Sequence, residues 1–253
     1  MGQVKTILIL VLFLCSSLAG CLSEDENGSR IDLVVDFEEN NGTVVESYYD
    51  GELTSTNIVS LDFDFSKTTA SNTLTIFGID TMDGRSAVTV DAKSNSVITV
   101  EFSEHGIYNL SVYAIDDDGN QNNMSLPIRI ELRIEWVESN TNDPKTLIFD
   151  PNPVNGGQNP QMIEVDSTVE NPSLIDGVGG SGQAVQFTWG IADEVNDVCQ
   201  SRSGEANDGE SDNWYTLHFN TYLIHELRIS YDDGQDPISI NQSVTILYDS
   251  GES

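Results

Sequence analysis

From Ile128 to Trp136 the chain alternates strictly: Ile128, Ile130, Leu132, Ile134 and Trp136 are apolar, and Arg129, Glu131, Arg133 and Glu135 between them are charged. Side chains of an extended strand point to opposite faces with a period of two, so this segment gathers its apolar residues on one face only as a β-strand. Tyr108, Leu110, Val112 and Ala114 repeat the pattern. No window after the first twenty residues sustains a helical period. Asp-Gly, a dipeptide suited to tight hairpins, recurs at Asp50-Gly51, Asp83-Gly84, Asp118-Gly119, Asp176-Gly177, Asp208-Gly209 and Asp233-Gly234. Short alternating strands separated by such turns predict an all-β protein built of sandwiches.

The chain also echoes itself. Val100-Glu101-Phe102, Tyr108 to Val112 and Asp117-Asp118-Gly119 correspond to Leu217-His218-Phe219, His225 to Ile229 and Asp232-Asp233-Gly234. Final alternating strands follow at Ile128 to Leu132 and Val244 to Tyr248, and upstream Phe77-Gly78-Ile79 corresponds to Trp189-Gly190-Ile191. An offset of about 115 residues predicts two tandem units of one architecture, residues 31–137 and 146–250. The polar stretch 138–145, with Asn142-Asp143-Pro144, reads as the linker between them.

The segment His105 to Asn120 carries Gly106, Tyr108, Leu110, Val112, Ala114 and Asp116 at alternate positions, then Asp117-Asp118-Gly119. It resembles the closing strands of PKD-type and related immunoglobulin-like domains. The second copy keeps the alternation and Asp-Asp-Gly but has Leu223 and His225 where that pattern has Gly and Tyr. The family's Trp-x-Phe-Gly-Asp-Gly signature is only hinted at by Phe77-Gly78-Ile79-Asp80 and Trp189-Gly190-Ile191. The resemblance implies two tandem immunoglobulin-like β-sandwiches in an extracellular surface protein. It implies no activity, because one sandwich hosts many functions.

At the N-terminus Lys5, the apolar run Ile7 to Leu14 and Leu18-Ala19-Gly20-Cys21 form the three parts of an export signal. They resemble the lipobox of prokaryotic lipoproteins. That resemblance implies a signal peptide over residues 1–20, removed by a cut before Cys21, lipid on Cys21, and a lipidated tether over 21–30 that holds the protein at the cell surface. The run is broken by Ser16-Ser17 and is short for a spanning helix, which needs about 20 apolar residues. The acidic, lysine-poor composition together with the lipobox resembles archaeal surface lipoproteins.

Chemistry-bearing residues are sparse. Cys15 leaves with the signal and Cys21 takes lipid, so Cys199 alone remains and no internal disulfide can form. Cys199 has no basic residue or histidine beside it in sequence to activate it. Asp116, Asp118 and Asn120, with Asp62, Asp64 or Asp80 as further candidates, can place oxygens around a calcium ion. Asp232 and Asp233 have the same standing, and for all of them the competing reading is a solvated hairpin turn. His225-Glu226 begins like a zinc-protease motif, but Ile229 stands where its second histidine belongs, and no catalytic residue is assigned. Sequons occur at Asn27, Asn41, Asn109, Asn123 and Asn241, glycan sites if the chain is exported. Trp214, Tyr215, Tyr222, Tyr113, Tyr48 and Tyr49 are candidates for an exposed aromatic binding face.

Three functions follow from different classes. The first is a non-enzymatic adhesion or envelope-interaction module with a protein or polysaccharide ligand and no cofactor beyond calcium. The alternatives are a solute- or cation-binding lipoprotein serving a transporter and, last, an extracellular hydrolase.

Ten Lys and Arg stand against 42 Asp and Glu. Loss of Lys5 with the signal leaves 9 − 42 = −33. Such a balance opposes nucleic acid, whose phosphates call for Lys and Arg, and suits a surface kept soluble in a salty, halophilic medium. At about 1 M salt the Debye length is only about 3 Å, so self-repulsion is screened. The soluble fragment 24–253 is therefore expected to melt at a lower temperature after dialysis into low salt; equal melting temperatures at low and high NaCl would sink this reading.

Overall fold

The computed structural model describes residues 30–173 and 182–249. The signal peptide, Cys21, the tether up to Ser29, the Asn27 sequon and the Asp176-Gly177 turn lie outside the described residues. Within them every regular element is a strand. The first half holds β1 (Ile31–Asp32), β2 (Asn41–Tyr49), β3 (Glu52–Asn57), β4 (Val59–Asp64), β5 (Thr69–Ala70), β6 (Leu74–Asp80), β7 (Val88–Asp91), β8 (Val97–Phe102) and β9 (Gly106–Asp116). β10 (Gln121–Thr141) follows. The second half holds β11 (Leu147–Phe149), β12 (Met162–Glu170), β13 (Val185–Asp193), β14 (Val198–Ala206), β15 (Ser211–His218), β16 (His225–Asp233) and β17 (Ile238–Leu247).

The alternating segment that opens the sequence argument is the centre of the molecule. β10 is 21 residues long, and from Leu126 to Glu138 its even-numbered residues are all buried. Its first part pairs antiparallel with β9 over Gln121 to Ile130. Its second part pairs antiparallel with β17 over Leu132 to Thr141. On the opposite edge β2 runs parallel to residues 129–137. β9 and β17 thus meet end to end along one edge of β10, and the nine-stranded sheet β15-β12-β17-β10-β9-β6-β7, with β2 and β3 attached at β10, passes through both halves. Two smaller layers face it: β4 with β8, and β11-β16-β13-β14. The fold is an all-β sandwich whose buried apolar residues form one contiguous cluster from Ile31 to Tyr248.

Residues 138–141, read from sequence as linker, are the last residues of β10. The alternation continues, but its next inward position is Glu138, which is buried. Burial of a carboxylate is tolerable only when it is hydrogen-bonded. Here it accepts from Trp136 Nε1 at 2.8 Å and from the Lys145 backbone N–H at 3.1 Å. A polar residue in the inward phase mimics a strand end in sequence.

The internal echo holds for individual strands and for one of their pairings, but not for the closing strands. β9 and β16 each pair with the strand carrying the Gly-Ile match, β6 and β13. In the first half the closing strand β10 pairs with β9. In the second the closing strand β17 pairs with β12 and with β10. The extra length of β10 supplies that edge.

Turn chemistry follows the sequence. Asp50 and Gly51 have φ of 49° and 81°, both positive as a type I′ hairpin requires. Gly78 has another role: a Cβ there would sit 2.2 Å from Tyr113 Cζ, so the tyrosine ring on β9 lies flat across the glycine of β6. In the second half Trp189 is fully buried, stands edge-on to Phe187 at 4.8 Å, and donates to Ser167 Oγ at 2.8 Å, a hydrogen bond between the two sheets.

Where β9 begins and β17 ends, the buried His105 Nδ1 lies 2.7 Å from the Tyr248 hydroxyl. Burial pushes the His105 pKa below its ordinary value, against an opposing pull from Asp150. A histidine whose folded pKa is depressed contributes stability that is full above its unfolded pKa, about 6.5, and is lost as pH falls below it. Tyr248→Phe, which strands a buried ring nitrogen, is expected to cost about 1–3 kcal/mol, read as a lower urea midpoint at unchanged slope. His105→Gln is expected to flatten the decline in melting temperature between about pH 7 and 5; an identical decline in both proteins would refute the assignment.

Candidate functional site

One end of the second half presents a shallow groove of about 500 Å³ between the segment before β12 and the turn joining β15 to β16. Phe219 and Tyr222 line it with 65 % and 69 % of their surface exposed, and Gln158, Asn159, Gln161 and Asp249 supply amides and a carboxylate. Both walls are fixed from beneath. The Thr221 hydroxyl donates to Pro160 O at 2.8 Å, Asn159 Nδ2 donates to Thr221 O at 3.4 Å, and Gln161 N donates to Leu247 O at 2.8 Å. The rings are therefore held open by a backbone with its own partners. Large exposed aromatics flanked by adaptable polar groups are the usual makings of a binding face.

Beneath the same turn lie Cys199, His218 and His225, with one potential donor atom from each within 4.8 Å of the others. His218 closes β15 and His225 opens β16, with imidazole centroids 4.5 Å apart in an edge-on arrangement. Cys199 is the extra residue of a β-bulge: Ile191 pairs with Gln200 and Ala192 with Val198, so Cys199 has no opposite number on β13. A bulge re-aims its side chain. His225 Nε2 lies 2.7 Å from Asn220 O. A carbonyl only accepts, so Nε2 carries a proton, and in the neutral ring Nδ1 then bears the lone pair. His225 Nδ1 and His218 Nε2 are buried with no hydrogen-bond partner among the described residues. Burial, then the neighbouring His225 ring, lowers the His218 pKa. Desolvation and then the Asp193 and Asp197 carboxylates raise that of the Cys199 thiol, which donates weakly to Asp197 O at 3.7 Å. This grouping was not legible in sequence, where Cys199, His218 and His225 appear isolated.

The residues singled out for calcium fall elsewhere. Asp116, Asp118 and Asn120 share the turn after β9. There Asp116 Oδ1 accepts from Asp118 N at 3.1 Å and Asn120 N at 2.9 Å, and Asn72 Nδ2 donates to Asp118 Oδ2 at 2.7 Å. These amide donors account for the turn by themselves. Asp232 Oδ2 accepts from the Thr188 hydroxyl at 2.6 Å and Asp233 Oδ1 from Gly234 N at 3.0 Å, both at the end of β16 in the other half. Asp62 and Asp64 line an acidic cavity of about 630 Å³ with Asp36. Thr99 donates to Asp62, Ser66 and Ser96 to Asp64, and Lys67 pairs with Asp36 at 2.7 Å. Asp80 accepts from Met82 N at 2.8 Å.

Of the sequons, Asn41, Asn109, Asn123 and Asn241 all stand on strands with exposed side chains. Among the aromatics proposed for an exposed face, Tyr49, Tyr215 and Tyr222 are exposed. Trp214 is buried against Trp189 at 6.2 Å, Tyr48 stacks on Trp136 at 5.5 Å, and Tyr113 covers Gly78. Trp214 takes the inward phase of β15, which leaves Tyr215 outward. Phe219, one of the two groove rings, was missed because it lies beyond the alternating stretch.

No family model matches the chain, and no curated protein matches it. Solved structures give distant likenesses. A structure described as the basis for promiscuous specificity of carbohydrate-binding modules of the β-sandwich superfamily is 10 % identical over 84 % of this chain and 95 % of that one, with a TM-score of 0.31. A carbohydrate-binding module 51 with adjoining domains from Clostridium perfringens ZmpB, in complex with GlcNAc, is 12 % identical over 85 % of this chain and 48 % of that one, at 0.24. A Bacteroides ovatus mixed-linkage glucan utilization protein in complex with a heptasaccharide is 9 % identical over 82 % and 53 %, at 0.20. Superpositions this loose assign no ligand and no activity, and the chain is placed by its own geometry as an all-β sandwich.

Proposed function

We propose that the chain is a non-enzymatic surface lipoprotein, held to the membrane by lipid on Cys21, whose second half binds a polysaccharide of the cell envelope or of a neighbouring surface. The observation that carries this reading is the groove in which Phe219 and Tyr222 stand open to solvent beside Gln158, Asn159, Gln161 and Asp249. Exposing two large aromatic rings at one spot forgoes their burial, roughly 1.5–3 kcal/mol each, so a ligand that covers them gains what folding left unused. A sugar ring suits such a site because its C–H face packs on an aromatic plane while its hydroxyls meet amides and carboxylates. The fixed walls limit the ordering cost on binding.

On the lipoprotein reading the ligand lies outside the cytoplasm, and the net charge favours a neutral or cationic glycan over a polyanion, which the surface would repel. The test is retardation of the purified full chain in native gels containing soluble polysaccharides, followed by calorimetry on those that retard it. Phe219→Ala and Tyr222→Ala are each expected to weaken binding about tenfold, or about 1.4 kcal/mol. Retardation that survives the double substitution would move the ligand off this groove, and no retardation by any neutral or cationic glycan would reject the reading.

A further inference from the structure

We propose that Cys199, His218 and His225 bind one zinc ion, which ties the two sheets of the second half together beneath the groove turn. A thiol and two imidazoles are a donor set for zinc, and three protein ligands leave one coordination position for water. Cys199 and His225 belong to β14 and β16 of the four-stranded layer, while His218 closes β15 of the large sheet, so an ion held by all three bridges the layers.

Three independent observations converge on this place. Two buried imidazole nitrogens, His218 Nε2 and His225 Nδ1, have no hydrogen-bond partner among the described residues. Leaving such atoms bare inside a protein costs free energy that a metal–nitrogen bond would recover. The other nitrogen of His225 is committed to the Asn220 carbonyl at 2.7 Å, an arrangement that fixes the tautomer and aims the Nδ1 lone pair, as metal-ligating histidines commonly require. Finally, the bulge in β14 directs an extra side chain at this point, and that side chain is a thiol.

The donor atoms lie within 4.8 Å of one another. Around a tetrahedral zinc, with Zn–N of about 2.0–2.1 Å and Zn–S of about 2.3 Å, they would stand roughly 3.3–3.7 Å apart. Closure from that outer limit needs shifts of roughly 1–1.5 Å among the three donor side chains. Coordination breaks the S–H bond, forms a Zn–S bond and releases one proton to solvent. The Asp193 and Asp197 carboxylates that oppose a bare thiolate also draw a cation. Copper shares the donor set, but its redox cycling would leave an exposed thiolate open to oxidation, whereas zinc has no redox chemistry.

The experiment is a cobalt titration of the purified, reduced full chain near neutral pH, followed by zinc displacement and by thermal unfolding with zinc or chelator. The expected result is one equivalent of Co2+ with a thiolate charge-transfer band and the intense d–d bands of four-coordinate cobalt. Zinc should abolish both spectra and raise the melting temperature by several degrees. Cys199→Ser, a change at an exposed position, should remove the charge-transfer band and weaken binding at least tenfold, whereas Asp116→Asn, at the turn after β9, should change neither. Cobalt bound without a thiolate band, or with an affinity indifferent to Cys199→Ser, would assign the metal to the acidic surface and overturn the proposal. Binding of copper but not of cobalt or zinc would overturn it equally.

Discussion

Every N–H and C=O of a buried strand must find a partner, and β10 carries that obligation along its inward-facing stretch from Leu126 to Glu138. The rest of the architecture is the solution. One edge is shared lengthwise between β9 and β17, and the other is covered along residues 129–137 by β2 running parallel. Each partner brings its own neighbours: β6 and β7 behind β9, β12 and β15 behind β17, β3 behind β2. The sheet therefore extends in both directions from one segment, and the smaller layers pack against whichever face it leaves apolar. The point where β9 and β17 abut is the weak place of such a plan, because two strand ends leave a gap in the ladder. His105 and Tyr248 fill it with a buried hydrogen bond.

Much of this was legible. The period-two runs at Tyr108 to Ala114 and Ile128 to Trp136 are buried strands with apolar residues inward, and Asn109 faces outward as its phase requires. The Asp50-Gly51 turn has the backbone angles its residues favour. Residues 138–141 read as linker in sequence but continue β10, because Glu138 occupies an inward position and is made tolerable by Trp136 and Lys145, partners that local composition does not reveal. Likewise the repeat predicted equivalent strands but could not say with whom each would pair, since pairing depends on which edges remain open after β10 has passed.

The groove end of the molecule was the least legible, for a physical reason. Cys199, His218 and His225 lie on three strands of two sheets, and no sequence spacing connects them; only the bulge at Cys199 and the short turn from His218 to His225 bring them together. The two groove rings flank that turn's interior, Phe219 directly after His218 and Tyr222 three residues before His225. The groove and the sulfur–imidazole cluster thus adjoin a single six-residue connection, in which the Asn220 carbonyl accepts from His225 Nε2.

The length of β10 has a further consequence for how the chain reaches this state. Its partners β2 and β17 lie far from it in sequence on either side, so a protein emerging from its N-terminus completes β9 and the first part of β10 while the remaining edge waits for residues 238–247. Closing such distant pairings carries a loop-entropy cost before any contact repays it, and slow, non-local closure is the expected regime. During that interval the unpaired backbone edge of β10 from Leu132 to Thr141 is a bare template for any other extended chain. Residues 238–247 are therefore the segment whose arrival completes the sheet, and until they dock the β10 edge from Leu132 to Thr141 has no antiparallel partner.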